Sequence, residues 1–456
     1  MNKKKMGLLL LIAGAVISPE SIWAQSGNNR HRKQQSESRQ KVQKKRNKSA
    51  KSQNPEKAEV VILSDDGEED VVILDYFQKN APKSFNAPGA PRFALIGKEK
   101  KFYMGIGGYL KGTASFDFGN PIDNPIFFTT SSIPTNQKPG NGGLYQMSAG
   151  TSNIFFNFVG MPGQKHQLGA YINFNLSNPD YGFDLQYAYL TYAGFTVGYK
   201  FSMMFDEVAG PPTIDQEGPS SLAAVYRTVA NYVHQYKNWE FGIGIEAPTV
   251  SATTNAYNAN VNQRIPDVPG YVQYSWNKGN NTIRLSALMR NMQYRDLMQS
   301  ENHNKVGWGM QLTGTADLCP FVSVYYQGIY GRGIGNLIQD MAGLGLDMVP
   351  DYADKGKMKL VEAWGAYGGI QFNFTKNIFS SHTYSQVRNY ADKHAGIVDN
   401  PLNSKYKYAQ YLVHNVFWQA TPTIQLGAEY IWGRLALNNG EHKRDNRIQT
   451  MIQFSF

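Results

Sequence analysis

From residue 447 to the C-terminus, apolar and polar side chains alternate with period two. Ile448, Thr450, Ile452, Phe454 and Phe456 share one face, and Arg447, Gln449, Gln453 and Ser455 share the other. A strand with one apolar and one polar face separates two environments. The alternation recurs at Leu168, Ala170, Ile172, Phe174 and Leu176 against Gly169, Tyr171, Asn173 and Asn175, and at Ile283, Leu285, Ala287 and Met289 against Arg284, Ser286, Leu288 and Arg290. Tyr, Phe and Trp crowd the strand ends, where a membrane–water interface favours amphipathic rings; a soluble sandwich has no such need. Mean hydropathy is −0.44, and outside the extreme N-terminus no apolar run approaches the about 18–20 residues of a membrane helix. A closed barrel is the spanning structure that remains.

Connection lengths give the topology. Short links fall at residues 159–165, 193–194, 236–238, 277–280, 317–320, 375–377 and 419–422. Between them lie residues 119–143, 203–222, 249–266, 295–305, 332–355, 390–404 and 436–442, with 177–180 a short exception. Seven turns and eight loops make sixteen antiparallel strands, so both termini lie on the short-turn side, the periplasm of a bacterial outer membrane. The expected fold is all-β: a 16-stranded antiparallel transmembrane β-barrel over residues 102–456 with an N-terminal periplasmic extension.

The N-terminus reads as an address. Lys3, Lys4 and Lys5 precede an apolar stretch, Pro19 and a small-residue site at Ala24, so residues 1–24 are expected to be a signal peptide. Residues 1–58 carry 14 Lys and Arg against 3 acids, leaving 31 bases and 32 acids beyond them. Residues 25–58 therefore read as a basic disordered linker. Export argues against nucleic acid as its partner, leaving periplasmic or peptidoglycan contact, or no partner at all. Residues 59–101 form an extension and lead-in to the barrel. Here two apolar VVIL runs flank an acidic turn, which predicts a small hairpin or paired extended segments, or a docking arm. The lone Cys319 rules out a disulfide framework and any Cys-rich metal site.

The blocks Gly108-Tyr109-Leu110-Lys111, Phe205-Asp206, Pro212-Thr213-Ile214-Asp215, Glu217-Gly218-Pro219, Glu246-Ala247-Pro248, Pro266-Asp267-Val268, Gly307-Trp308-Gly309, then the segments at 330–335, 364–369 and 427–434 follow in order along the chain. Together they resemble a known family, the DcaP-like trimeric porins of bacterial outer membranes. The resemblance implies a homotrimer, an inward-folded third loop and uptake of small anions such as dicarboxylates. The chain departs from the family pattern in Ser152-Asn153 on the second strand, in Asp184 and Gln186 on the fourth, and in lacking heptads over residues 26–75. Resemblance to other outer-membrane proteins makes the terminal strand the signal for the barrel-assembly machinery.

A porin needs a polar lumen, a constriction and a transverse field rather than a reacting group. Alternation aims Lys111, Lys200, Arg227, Arg284, Arg290, Lys357, Lys359, Arg388 and Arg447 inward, against Asp117, Asp184, Glu240, Glu246 and Glu429. The segment 203–222 is the expected constriction: Gly210-Pro211-Pro212 stiffens it, and it carries Asp206, Glu207, Asp215 and Glu217 without a base. Tyr187, Tyr189, Trp276, Trp432 and Phe454 are the girdle candidates, and Arg332 and Asp340 are placed in the vestibule or against lipopolysaccharide. No metal or cofactor motif occurs: the histidines lack HExxH spacing, and Gly331, Gly333 and Gly335 follow a transmembrane strand into a loop. A barrel lipase would need Ser and His on one outer face, whereas the adjacent Ser381 and His382 point to opposite faces. A structural barrel with a periplasmic tethering tail is the alternative to a diffusion channel.

Overall fold

The structure is a computed structural model that describes residues 59–63, 68–97, 100–136, 142–164, 166–177, 181–394 and 405–456. The expected signal peptide and basic linker lie outside the described residues. The chain opens with β1 (Glu59–Ile62), α1 (Glu68–Asn80) and β2 (Phe93–Ile96). The wall follows: β3 (Phe102–Gly119), then β4 (Gly143–Ser148) and β5 (Asn153–Gly160) as one interrupted strand. After them come β6 (Leu168–Ser177), β7 (Gly182–Tyr192), β8 (Phe195–Phe201), β9 (Tyr226–Tyr236) and β10 (Trp239–Glu246). A short β11 (Asn258–Asn260) precedes β12 (Val268–Trp276), β13 (Asn281–Asp296), β14 (Glu301–Cys319) and β15 (Val322–Arg332). A loop hairpin of β16 (Met348–Pro350) and β17 (Met358–Leu360) leads to β18 (Glu362–Asn373), β19 (Ile378–Asn389), β20 (Tyr406–Gln419), β21 (Ile424–Leu437) and β22 (His442–Ser455). Counting β4 with β5, and setting aside β1, β2, β11, β16 and β17, sixteen antiparallel wall strands remain.

Pairing of β22 with β3, from Asp445↔Gly119 to Ser455↔Tyr109, closes the ring. Phe456 and Gly108 exchange backbone hydrogen bonds of 2.9 and 3.1 Å at the foot of this seam. Closure satisfies every strand edge internally, the condition for crossing a bilayer. The binary pattern decides which way each face turns: Leu110, Phe116, Leu285, Ile448, Ile452 and Phe454 are exposed on the outside, while Lys111, Asp117, Arg284 and Gln449 are buried within. Short turns gather at one end, among them Ala193-Gly194 with φ of 50° and 90°, the left-handed pair a two-residue hairpin requires.

Four expectations change. The second VVIL run is helix, not strand: Ile73, Leu74 and Phe77 form one buried face against Tyr103, Val159 and Ala94. Only the first run is extended, pairing through β2 with the lower part of β3. The loop expected at 295–305 shrinks to residues 297–300, because β13 and β14 stay paired up to Asp296↔Glu301. There Asp296 Oδ1 accepts Met298 N and Gln299 N at 2.9 and 3.1 Å and closes the turn. Lys357 and Lys359 belong to the loop between β15 and β18, where Lys357 Nζ meets Asp296 at 3.0 Å. Finally, Tyr187 and Tyr189 are not girdle residues. They point inward and are buried with Phe155 and Tyr171, whereas Trp276 and Phe454 are exposed outside.

Candidate pore and constriction

The segment between β8 and β9 leaves the long-loop end, enters the barrel and follows the inner wall. Its start is fixed where Met203 N donates to Glu246 Oε1 at 2.8 Å. Further on, Thr313 Oγ1 donates to Asp206 at 2.6 Å, and Tyr367 Oη donates to Ala209 O at 2.8 Å. Asn415 Nδ2 reaches Pro212 O at 2.8 Å, and the Glu429 carboxylate accepts Ile214 N and Asp215 N at 2.8 and 2.9 Å. Lys111 Nζ donates to Ile214 O at 3.1 Å. The return leg is held by Ser221 N donating to Ser385 Oγ at 3.0 Å. Backbone groups inside a barrel need such partners, since an unpaired buried one is costly. Gly369 and Gly427 face this segment without side chains; a Cβ on Gly427 would lie 2.9 Å from Ile214.

The charged residues divide by what they touch. Arg284 on β13 faces the loop: it lies 3.8 Å from Asp206 and 3.9 Å from Glu240, and its guanidinium stacks 3.6 Å from the Tyr271 ring centroid. Lys200 reaches Glu207 at 3.9 Å and keeps its side chain 26% exposed. Arg227 is buried, 3.5 Å from Asn336 O. Arg290 is a strut with no face on the lumen. Its fully buried guanidinium meets Asp267 at 3.0 Å, Asp347 at 3.3 Å, Gly333 O at 2.6 Å and Thr249 O at 2.5 Å, tying two long loops together. Arg388, expected inside, is on the outer face near the long-loop rim, bound to Asp392 at 2.7 Å. The inward register on β19 belongs to Thr383, Ser385, Val387 and Asn389, all buried. Polar residues on both faces of that strand left its sidedness unspecified by pattern.

The loop acids do not form the expected row opposite wall bases. Asp206 does face Arg284. Asp215 instead accepts Phe128 N at 2.9 Å, Glu217 N and Gly218 N at 3.2 Å, and Tyr411 Oη at 3.0 Å, so it shapes its own loop and the one after β3. Burial, with Asp215 and Asp340 nearby, pushes the Glu217 carboxyl up to about 8. A carboxyl whose folded value is raised stabilises the fold fully below its ordinary value, and that contribution is lost as pH rises through about 8. The apparent melting temperature of the folded barrel is therefore expected to fall progressively from about pH 5 to about pH 8 and to level off above it, and Glu217→Gln is expected to flatten that fall. Parallel melting curves for wild type and variant across this range would show that Glu217 is not the titrating group.

The histidine and serine geometry also bears on chemistry. His382 Nδ1 lies 2.7 Å from His414 Nδ1 on the outer face, and Ser381 is turned inward as expected. Ser380, however, shares the face of His382, with Oγ 3.1 Å from Nε2. Its hydroxyl donates to Asn415 O at 2.5 Å, so the proton a base would need to take is already committed. The surrounding strands are paired in the sheet ladder on both sides.

Sequence reasoning missed the opposite wall. Asn153 Nδ2 donates to Asn173 Oδ1 at 3.0 Å and to Asn175 Oδ1 at 2.5 Å. Below this amide ladder the rings of Phe155, Tyr171 and Tyr189 stack at 5.5 and 5.6 Å. Period two on β5 and β6 was the signal that could have found both.

A closed sixteen-stranded barrel with a long loop bound inside defines a porin. Residues 146–454 match the model of the Porin subfamily, and the chain belongs to that family of outer-membrane channels. Among solved structures it is similar to the outer-membrane channel DcaP of Acinetobacter baumannii, with 17% identity, a TM-score of 0.67, and coverage of 79% of this chain and 99% of that one. The DcaP-like resemblance is thus borne out in the fold. It is also similar to the anion-selective porin of Comamonas acidovorans, at 9% identity, TM-score 0.49 and coverage of 78% and 100%. The trimer form of OmpT of Vibrio cholerae matches at 10% identity, TM-score 0.47 and coverage of 78% and 99%. Among curated proteins, none matches the chain.

Proposed function

We propose that the protein is a homotrimeric diffusion porin, its short turns facing the periplasm, that passes small hydrophilic, anionic, dicarboxylate-like solutes through a lumen narrowed by residues 203–222. The observation that carries this reading is the loop bound along the inner wall with Arg284 against it, an arrangement that supports a narrowed passage lined by fixed charge. Lys200, partly exposed beside the same loop, adds a cation that a permeating anion can meet. Selectivity by fixed charges is screened over roughly 8 Å at physiological salt and over roughly 3 Å at 1 M. Purified trimers in planar bilayers are expected to conduct in steps of three and to show a reversal potential favouring anions at low salt. Cation preference would overturn the anionic clause, and silent bilayers would overturn the channel itself.

Assembly follows from the seam. Phe456 closes the foot of β22 and, with Ile452 and Phe454, continues its outward apolar face, the feature proposed to be read by the barrel-assembly machinery. Deleting Phe456 is expected to lower outer-membrane abundance several-fold, whereas deleting Asn439 from the turn after β21 is expected to leave it close to wild type. Equal abundance of the two in membrane fractions would refute the role. The outer rim around Arg388 and Arg332 suits contact with lipopolysaccharide phosphates, and residues 25–58 suit periplasmic or peptidoglycan contact.

A further inference from the structure

Resting on the porin reading, we infer that residues 81–91 form a plug strapped across the periplasmic half of the pore, tethered at both ends and able to swing out. The segment reads Ala81-Pro82-Lys83-Ser84-Phe85-Asn86-Ala87-Pro88-Gly89-Ala90-Pro91. Its three prolines and lack of periodicity leave it without helix or strand. It begins at Asn80, the last residue of α1, which is wedged into the lumen face of three strands. Asn80 Nδ2 donates to Asn157 Oδ1 at 2.9 Å and to Ala170 O at 3.1 Å, Thr191 Oγ1 donates to Asn80 Oδ1 at 2.8 Å, and Tyr189 Oη donates to Asn80 O at 2.7 Å.

From there the strap crosses the pore. Lys83 N donates to Glu207 of the constriction loop at 2.7 Å. Phe85 packs edge-on against Phe417 and Phe379 of β20 and β19, at centroid distances of 5.1 and 6.1 Å. Those strands lie on the far side of the ring from β6 and β7. At this far wall the chain reverses, with Ala87 N bonded to Ser84 O at 3.1 Å. It returns to β3, where Tyr109 Oη donates to Asn86 O at 3.2 Å. The strap finally rejoins the rim at Gly105. A Cβ there would lie 2.5 Å from Pro91 and 3.0 Å from Phe77, so both anchors converge on one glycine.

Convergent anchors make the strap a loop with slack. Residues 81–91 extended would reach about 35 Å at about 3.3 Å per residue, and both ends are held on the same side of the barrel. The anchors are the well-packed parts, since Leu74 and Phe77 are buried under the rim. The crossing itself is held by Phe85 against Ile214, Phe379, Phe417 and Met451 and by three hydrogen bonds, to Glu207, to Tyr109 and within its own turn. Local opening selects the segment with the fewest buried contacts. The strap can therefore leave the lumen while α1 and β2 stay docked, uncovering the Asn153–Asn175 ladder and the tyrosine stack from below.

The test uses the full-length chain carrying Phe85→Cys and Phe417→Cys in a Cys319→Ser background, because Cys319 is exposed and free. Reduced, this variant lacks the aromatic contact and is expected to conduct about threefold more than wild type, since removing an obstruction widens the limiting section. A short reducible bis-methanethiosulfonate linker is expected to bring conductance to or below the wild-type level, and reductant to restore it. A second variant, Asn80→Ala with Phe85→Glu, is expected to open the pore without any linker. If wild type, both variants and the cross-linked form conduct alike, the strap does not obstruct the pore and the inference fails while the porin reading stands. If all of them fold as heat-modifiable trimers and none conducts, the porin reading fails and takes the inference with it.

Discussion

Replacing Arg447 by alanine is expected to destabilise the barrel by about 3–5 kcal/mol, the cost of leaving a buried charge without its partner. Arg447 and Asp117 are directly opposite across the closing seam of β22 and β3, and both side chains are fully buried. The pairing is bidentate: Nε reaches Oδ1 at 2.6 Å and Nη2 reaches Oδ2 at 2.8 Å. The same Nη2 also holds Asn124 O at 2.8 Å, so the pair fixes the seam and the loop after β3 together. Asp445 lies alongside, because Ile122 N is shared between Asp117 and Asp445 at 3.2 Å each. Without the guanidinium, two buried carboxylates compete for one amide donor. The check is the temperature at which the native band gives way to the unfolded one, for Arg447→Ala, Asp117→Asn and Arg447→Met with Asp117→Leu. The single variants should fall furthest, and the apolar pair should recover much of the loss, because a buried ion pair is weak net stabilisation but a costly thing to halve. A loss below about 0.5 kcal/mol for Arg447→Ala would place the seam's stability in the hydrogen-bond ladder alone.

How far the sequence carried depends on whether a strand's two faces differ chemically. Over residues 283–290 of β13 and 447–455 of β22 one face is Ile, Leu, Ala, Met or Phe with Thr450, and the other is Arg, Ser or Gln with Leu288 and Met451, so sidedness, register and the inward place of Arg284 follow from alternation. On β19 the inward Thr383 and Ser385 alternate with His382, Tyr384 and Gln386. With polar groups on both sides, Arg388 could be assigned to the lumen although it lies outside. Aromatic residues mislead for a related reason. Tyr187 and Tyr189 suit a lipid interface or a lumen stack equally well, and it is α1, delivering Asn80 and Ala81 from far away in sequence, that makes the inward position favourable. The second VVIL run is short enough to serve either period. Its choice of helix depends on burying Ile73, Leu74 and Phe77 against β3 and β5, a tertiary contact that local pattern does not contain. The strap of residues 81–91 left no periodic trace at all, since its conformation is set by the walls it touches.

Arg284→Ala is expected to reduce the anion-to-cation permeability ratio about fourfold at low salt, while Arg290→Ala leaves it unchanged. Both arginines lie on the polar face of β13, six residues apart and so about 20 Å along the strand at about 3.3 Å per residue. The structure separates their roles. Arg284 stands against the loop between β8 and β9 with Asp206 and Glu240 as its neighbours, whereas Arg290 is enclosed by Asp267, Asp347 and two carbonyls. A unit charge about 10 Å from a permeating ion contributes about 0.4 kcal/mol at the dielectric constant of water, about a twofold change in occupancy with opposite sign for anion and cation, and so about fourfold in their ratio. Removing Arg284 leaves Asp206 and Glu240 uncompensated beside that loop, so the sign of the change is toward cations. Adding Asp206→Asn to the variant should return the ratio most of the way. Screening over roughly 3 Å at 1 M salt should erase the difference. Reversal potentials in a salt gradient decide it. Equal shifts from Arg284→Ala and Arg290→Ala would mean that selectivity is set by the overall potential of the barrel rather than by the loop, and no shift from Arg284→Ala at low salt would remove this residue from the constriction.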